Sequence, residues 1–223
     1  LLVDNQIVKG WDDPRMPTIS GLRRRGYTAD AIKLFIEKTG VAKRNGVSDI
    51  ALLEHSLREN LNKISTRVMV VQDPIKVIIT NYPDDKFEEL EAINNPENEN
   101  DGKRKILFSK ELYIERSDFQ ENPSKKFFRL SKGKEVRLLH AYYILCNDII
   151  KDKSDKIIQI NCTYDSASRG GWSKDGRKVK GTIHWVSKSH AVDIQINIYD
   201  RLYSKENLGD NYLDFINSES LKI

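Results

Sequence analysis

The chain changes its hydrophobic rhythm once, near Thr66. Before that point apolar residues recur at helical spacing. Ile32, Phe35 and Ile36 in ADAIKLFIEKT lie three and four apart and share one helical face, with Thr28 placed to cap the helix and Gly40 to end it. A second helix is expected after Ser48, where Leu52, Leu53, Leu57 and Leu61 form an apolar stripe. Residues 18–65 therefore read as helical, with both stripes facing a core. After Thr66 the runs become short and β-branched. TRVMVV and IKVIIT are separated by the turn pair Asp73–Pro74, and KILFS, ELYIE, FFRLS, EVRLLHAYYIL, IIQINCTYD, KGTIHWVS and VDIQINIYD follow. Many short strands with no helix between them predict barrels or sandwiches rather than a parallel sheet. One stretch breaks the pattern: 83–104 is acidic, Asn-rich and aperiodic, and reads as a long surface loop or a partly disordered insertion.

Composition narrows this further. With 223 residues, 39% hydrophobic and 31% charged, the chain can hold real apolar cores. Its longest apolar runs, such as Val68–Val71, are too short to cross a bilayer, so no membrane partner is expected. The opening LLVDNQIVKG does not have the form of a secretory leader and has no initiator Met, which suggests a piece of a longer chain. Cys146 and Cys162 sit inside strand-like runs and read as reduced core residues of a cytoplasmic protein. The net charge of +4 is weak evidence for an RNA partner, although acidic residues crowd into 84–101 and leave the rest more basic.

Chemistry for catalysis is hard to find. His55, His140, His184 and His190 are scattered without metal-ligand spacing, so no metal is expected. Gly170–Gly171 lies between Arg169 and Trp172 with no Lys-Ser/Thr after it, unlike a phosphate loop. Asp12–Asp13 beside Pro14 reads as a turn or cap pair, not an acid/base dyad. The chain reads as a binder. Its most suggestive segment is KKFFRLSKGKEVRLLHAYY (125–143), where Lys125, Lys126, Arg129 and Arg137 interleave with Phe127, Phe128, Tyr142 and Tyr143. Cations that hold phosphates beside rings that stack bases suit single-stranded RNA. The same pattern equally suits an exposed edge strand guarded by charge. On a strand, Phe127, Arg129 and Ser131 would share one face, and Phe128 and Leu130 the other.

GWDDPRMPTISGLRRRGYT, near the start, resembles the segment that follows the ATP-site signature loop in class I glutaminyl-tRNA synthetases. DPIKVIITNY, GKEVRLLHAYYI, CTYD, DGRKVKGTIHWVS and IYDRLYS resemble the anticodon-binding region of the same family. The resemblance covers almost the whole chain. It implies an α+β multi-domain fold: an N-terminal helical subdomain followed by two antiparallel β-barrels, anticodon-binding and ribosomal L25-like. It divides the chain into a helical connecting, stem-contact subdomain at 1–65, the first part of a proximal barrel at 66–108 with the acidic loop 83–104, a distal barrel at 109–200, and a truncated return at 201–223.

What the resemblance implies for function follows from the matched positions. Arg67 corresponds to the arginine reading the middle anticodon base, Arg129 to one serving the third base, and Arg137 to one serving the first base or its phosphate. Phe128 stands where a lysine can occur, so third-base recognition would lean on stacking or on Arg129 alone; Lys125 and Lys126 join the RNA-binding set. Lys43, Arg44 and Asp49 correspond to positions near the D-stem. Of Arg23, Arg24 and Arg25, at least one is expected to pack or pair within the protein, because three successive residues span too much of a helical turn to face one ligand. The partner implied is tRNA(Gln), together with the chain's own catalytic domain, in a monomer. No cofactor is implied for this segment, which is expected to be inactive alone; ATP with Mg2+ would serve the parent ligase. Alternatives are the same region of a glutamyl-tRNA synthetase, a stand-alone RNA-binding barrel protein, and an unrelated barrel with solvated cations.

Overall fold

Thr18, Thr28 and Asp49 each end an extended stretch and accept a backbone N–H through the side chain, from Gly21 at 2.9 Å, Ala31 at 3.0 Å and Ala51 at 2.8 Å. Each satisfies a donor that the first helical turn cannot. The helices that follow are α1 (Ile19–Arg24), α2 (Ala29–Thr39) and α3 (Ile50–Ile64). Gly40, at φ +67°, ends α2 in a backbone conformation that favours glycine. The structure, a computed structural model, describes the 223 residues except Ala42, Arg44, Asn45, Lys174 and Asn207. It forms two units, Leu1–Ser65 with Ile194–Ile223, and Thr66–Asp193.

In the first unit α2 and α3 are tied by Thr28 Oγ1 to Asn60 Oδ1 at 2.7 Å and by Lys38 to Glu59 at 2.6 Å. The small residues Ala31 and Ser56 are buried, whereas Ile36 is 55% exposed, so the predicted stripes are only partly covered. Val8, Met16 and Leu202 form a separate small core. Nearby, β10 (Ile198–Tyr199) pairs antiparallel with β11 (Leu221–Lys222). Within the arginine trio, Arg24 pairs with Asp12 at 2.9 Å, Arg25 donates to the Tyr199 carbonyl at 3.3 Å, and Arg23 is exposed.

The second unit is built on one curled sheet. Its strands are β1 (Pro74–Ile79), β4 (Glu111–Glu115), β5 (Glu135–Leu138), β6 (Tyr143–Lys151), β7 (Ile157–Asp165), β8 (Thr182–Ile183) and β9 (Val186–Ser187), in the order β8-β5-β6-β7-β1-β4-β9. The two edge strands are one stretch of chain. Thr182–Ile183 pairs with β5 and Val186–Ser187 with β4, so six residues join both edges. Six residues reach at most about 20 Å, and the sheet must wrap round to meet itself. Burial alternates along this stretch: Gly181, Ile183, Trp185 and Ser187 are buried, while Thr182 and His184 are exposed. The run KGTIHWVS is thus a strand that changes partner midway. Two ladders, β1 with β7 and β5 with β8, are parallel, so this sheet is mixed rather than antiparallel.

The inward residues Ile75, Val77 and Ile79 of β1, Leu112 and Ile114 of β4, Val136 and Leu138 of β5, and Ile160 of β7 form the core with Trp185 and Phe108. Phe108 meets Tyr82, Tyr142 and Trp185 edge-on, each at 5.2 Å between ring centroids, a favoured arrangement of aromatic quadrupoles. Trp185 Nε1 donates to the Leu139 carbonyl at 2.9 Å. Cys146 and Cys162 face each other across β6 and β7 as buried free thiols.

Three expectations need correction. The acidic stretch is not a loop throughout: β2 (Phe87–Ile93) pairs along its whole length with β3 (Lys103–Ser109). Leu90 and Ala92 point inward, while Glu89 and Glu91 point out to Lys105 at 2.5 Å and Lys103 at 2.9 Å. The expected boundary at 108/109 falls inside one body, because β1 lies between β7 and β4. FFRLS is not a strand. Leu130 and Ser131 are both buried and Phe128 and Arg129 both exposed, so the expected alternation of faces fails. A turn at 124–127 and a single bridge from Leu130 to Phe119 shape this segment instead.

Candidate nucleic-acid interface

Arg137 projects from β5 because Val136 and Leu138 on either side are drawn into the core. Its side chain is held firmly. Nε donates to Thr182 Oγ1 at 2.9 Å and Nη1 to the Gly171 carbonyl at 3.3 Å, and the guanidinium lies 5.6 Å over the ring of Trp172. Gly171 is at φ +85°, and a Cβ there would lie 2.7 Å from Arg137 Cδ, so only glycine admits this approach. Among the described residues no carboxylate pairs with Arg137.

Arg177, forty residues on, shows the contrast. Its Nε and Nη2 span Glu135 at 3.0 and 3.1 Å, Nη2 is also 2.6 Å from Asp165, and Nη1 is 2.6 Å from Asp175. These carboxylates raise its pKa above the usual arginine value. A cation so neutralised has little charge left for a polyanion; it pins the 165–177 segment that carries Trp172.

Phe128 and Arg129 flank the strand at 180–184 along its edge away from β5. Gly181 is packed so closely beneath the Phe128 carbonyl that a Cβ could not fit, and Gly181 O accepts the Arg137 N–H at 2.9 Å. Lys180 Nζ sits 4.9 Å from the Phe128 ring centroid. Arg129 Nη1 donates to Asp118, whose carboxylate is buried and whose pKa is pushed up by that burial even though Arg129 and His184 pull it down. Residues 180–184 thus gather Phe128, Arg129 and Arg137 on one surface. Lys125 and Lys126 are exposed in the adjacent turn and have no ion pair among the described residues.

Arg67 belongs to a different edge of this unit. Its N–H donates to Asn94 O at 2.6 Å and its Nη2 lies 3.7 Å from Glu97, beside the loop that joins β2 to β3. Contrary to expectation, no strand forms around it. The β2–β3 hairpin also lines an open cleft of about 540 Å3 whose other side carries His140, Arg169 and Gly170. Gly170 of this cleft directly precedes Gly171, which packs against Arg137. Arg169 bridges it, donating to the Glu89 carbonyl at 3.0 Å.

In the first unit Lys43 is exposed, and Asp49 caps α3, a local structural role that its RNA reading did not anticipate. Arg44 lies outside the described residues. Sequence reasoning passed over Trp172, Lys180, Gly181 and Thr182. The signal was an aromatic directly after a Gly–Gly pair, in a run rich in Arg and Lys.

Three family profiles match the chain. "tRNA synthetases class I (E and Q), anti-codon binding domain" matches residues 65–165, a second profile of that description matches 182–223, and "tRNA synthetases class I (E and Q), catalytic domain" matches 1–63. The chain belongs to the class I tRNA synthetases of the E and Q type. Within that family it resembles the C-terminal region of glutamine–tRNA ligases. It is 50% identical to that of Clostridium perfringens over 225 residues, covering 100% of this chain and 41% of the relative. It is 49% identical to that of Bradyrhizobium diazoefficiens over 223 residues, at 100% and 40% coverage, and 50% identical to that of Rhodopirellula baltica over 225 residues, at 99% and 37%. The chain therefore spans about two-fifths of the length of these relatives. The catalytic-domain profile covers the segment that the resemblance assigned to a helical connector.

Proposed function

We propose that this chain recognises the anticodon of tRNA(Gln) as part of a glutamine–tRNA ligase, which joins glutamine to that tRNA using ATP. The observation that carries the reading is the identity of about half the residues to glutamine–tRNA ligases along the whole chain. That favours the glutamine enzyme over its glutamate counterpart. The geometry supports it: Phe128, Arg129 and Arg137 share the surface ordered by residues 180–184, with Arg137 unneutralised.

In this reading Arg67 serves the middle base, Arg129 the third and Arg137 the first base or its phosphate. A planar guanidinium can offer two parallel donors to a base edge, which lysine cannot. Lys125 and Lys126 hold backbone phosphate, and Lys43, Arg44 and Asp49 lie toward the D-stem. The curled sheet is one of two L25-like barrels, with 201–223 contributing to the other; residues 1–65 are the stem-contact segment. The protein acts as a cytoplasmic monomer, and no described helix is long and apolar enough to cross a membrane. ATP with Mg2+ is the cofactor of the whole ligase. Among the described residues there is no cluster of three or more His, Cys, Asp or Glu able to hold a metal, and no step of that chemistry is assigned to them.

Charging by the full-length protein tests the reading. In Arg67→Ala, kcat/KM for tRNA(Gln) falls about 5- to 150-fold, the loss of one good bidentate base contact, while ATP–pyrophosphate exchange is retained. Equal losses in both would make Arg67 a structural residue, and unaltered charging would remove it from recognition.

A further inference from the structure

We infer that Trp172 is a stacking platform for one unpaired nucleobase of the bound RNA, fixed in place by Arg137; the inference rests on the RNA-binding reading of this surface. Trp172 is 75% exposed, yet its neighbours in the chain are tied to the sheet. Arg137 covers one face of the ring at 5.6 Å. Gly171, before it, is locked against Arg137 Cδ, and Arg177 fastens the segment after it to Glu135, Asp165 and Asp175. Arg137 is the one ring contact of Trp172 among the described residues, and most of the side chain is exposed.

A lone exposed aromatic is unremarkable on a protein surface. This one differs because it is coupled to an arginine whose positive charge no described carboxylate offsets. Arg137 Nη2 has no partner among the described residues, and it is held beside the ring by the bonds of Nε and Nη1. A flat apolar face with a fixed cation on its far side is the pair of features an unstacked base needs: its π-face rests on the open side of the indole, and its flanking phosphate meets the guanidinium at the ring's rim. A guanidinium on the far side of the indole also draws electron density from the ring, which suits contact with the electron-rich face of a base.

Binding of a tRNA(Gln) transcript to the full-length protein, measured across a salt series, tests this. Trp172→Ala is expected to weaken binding about 5- to 150-fold without changing the slope of log K against log salt, because a neutral ring releases no counterions. Arg137→Ala is expected to weaken binding and to lower that slope by about one. Trp172→Phe, which keeps a flat ring, is expected to recover most of the affinity. RNA is expected to quench a component of tryptophan emission that is absent from Trp172→Phe, which would separate direct contact from a mere effect on Arg137. If Trp172→Ala binds as the parent does while Arg137→Ala is impaired, or if the quenching is the same in Trp172→Phe, the platform is overturned and the RNA-binding reading stands. If the parent itself does not bind tRNA(Gln), the broader reading fails.

Discussion

Arg15 meets Asp13 with both donors of one guanidinium edge, Nε 2.9 Å from Oδ1 and Nη2 2.8 Å from Oδ2. Asp13 also accepts the backbone N–H groups of Lys9 and Arg15, each at 3.0 Å. Arg15 reaches on to Ser220 Oγ and the Ile7 carbonyl, both at 3.0 Å, and so draws the two ends of the first unit together. The Asp and Arg of the WDDPR run are thus a buried hub rather than a pair of surface charges; Asp13 is 2% exposed.

Removing one half of a buried, hydrogen-bonded ion pair leaves the other charge uncompensated, at a cost of about 3–5 kcal/mol. Asp13→Asn is therefore expected to lower the unfolding free energy of the first unit by an amount in that range, read from urea titrations. The same contact makes stability depend on pH. The hydrogen bond from Arg15 holds the Asp13 carboxyl far below the usual carboxylate range. A depressed folded pKa contributes stability that is complete above the unfolded value, about 3.9, and is lost as pH falls below it toward the folded value. Denaturant midpoints measured from pH 7 to pH 2 should decline below about pH 4 in the parent and more gently in Asp13→Asn. An equal slope in both proteins would place the acid sensitivity elsewhere.

The helices and their caps were legible in the sequence because they are local. Thr28, Gly40 and the Leu52–Leu61 stripe act within a turn or two of themselves. The curled sheet was not, since β1 finds its parallel neighbour β7 more than eighty residues away and no local signal encodes that pairing. In β2 the alternation of Glu89 and Glu91 with Leu90 and Ala92 was present, but the acidic composition outweighed it; the compensating Lys103 and Lys105 come from the partner strand. For the interface, the basic-aromatic segment singled out Phe128, Arg129 and Arg137 in the sequence. What orders them is 180–184, which reads in sequence as just another strand.

Arg129 and Asp118 form a pair with unequal exposure: the arginine is half in water and the aspartate is buried. Arg129→Ala would leave a buried carboxylate whose pKa burial already raises. Because Arg129 is half solvated, the expected loss is only about 1–2 kcal/mol at pH 7. Its pH dependence runs opposite to that of Asp13. A raised folded pKa gives stability present at low pH and lost as pH rises through that pKa. The gap between Arg129→Ala and the parent should therefore narrow as pH drops from 7 toward 4, as thermal or urea unfolding of the second unit can show. A gap that widens on acidification would mean the Asp118 carboxylate is not the group left exposed to the loss.

Gly181 is where packing and the interface meet. A methyl group there would collide with the Phe128 carbonyl and come within 3.1 Å of Val136 Cγ2. The carbonyl belongs to backbone and cannot swing aside like a long side chain, so the 124–131 segment must lift away from the strand. Gly181→Ala is expected to destabilise the second unit by about 1–3 kcal/mol, the usual cost of overpacking. Gly46→Ala, with nothing within 4 Å of the new methyl, should shift stability by less than about 0.5 kcal/mol. Amide hydrogen exchange gives a residue-level check. The Arg137 N–H donates to Gly181 O at 2.9 Å, and its protection should fall in Gly181→Ala by more than that of Val77, deep in the same core. If Arg137 keeps its protection while Val77 loses it, the substitution acts through the core of the curled sheet, and Phe128 and Arg137 are not held to a common support by this glycine.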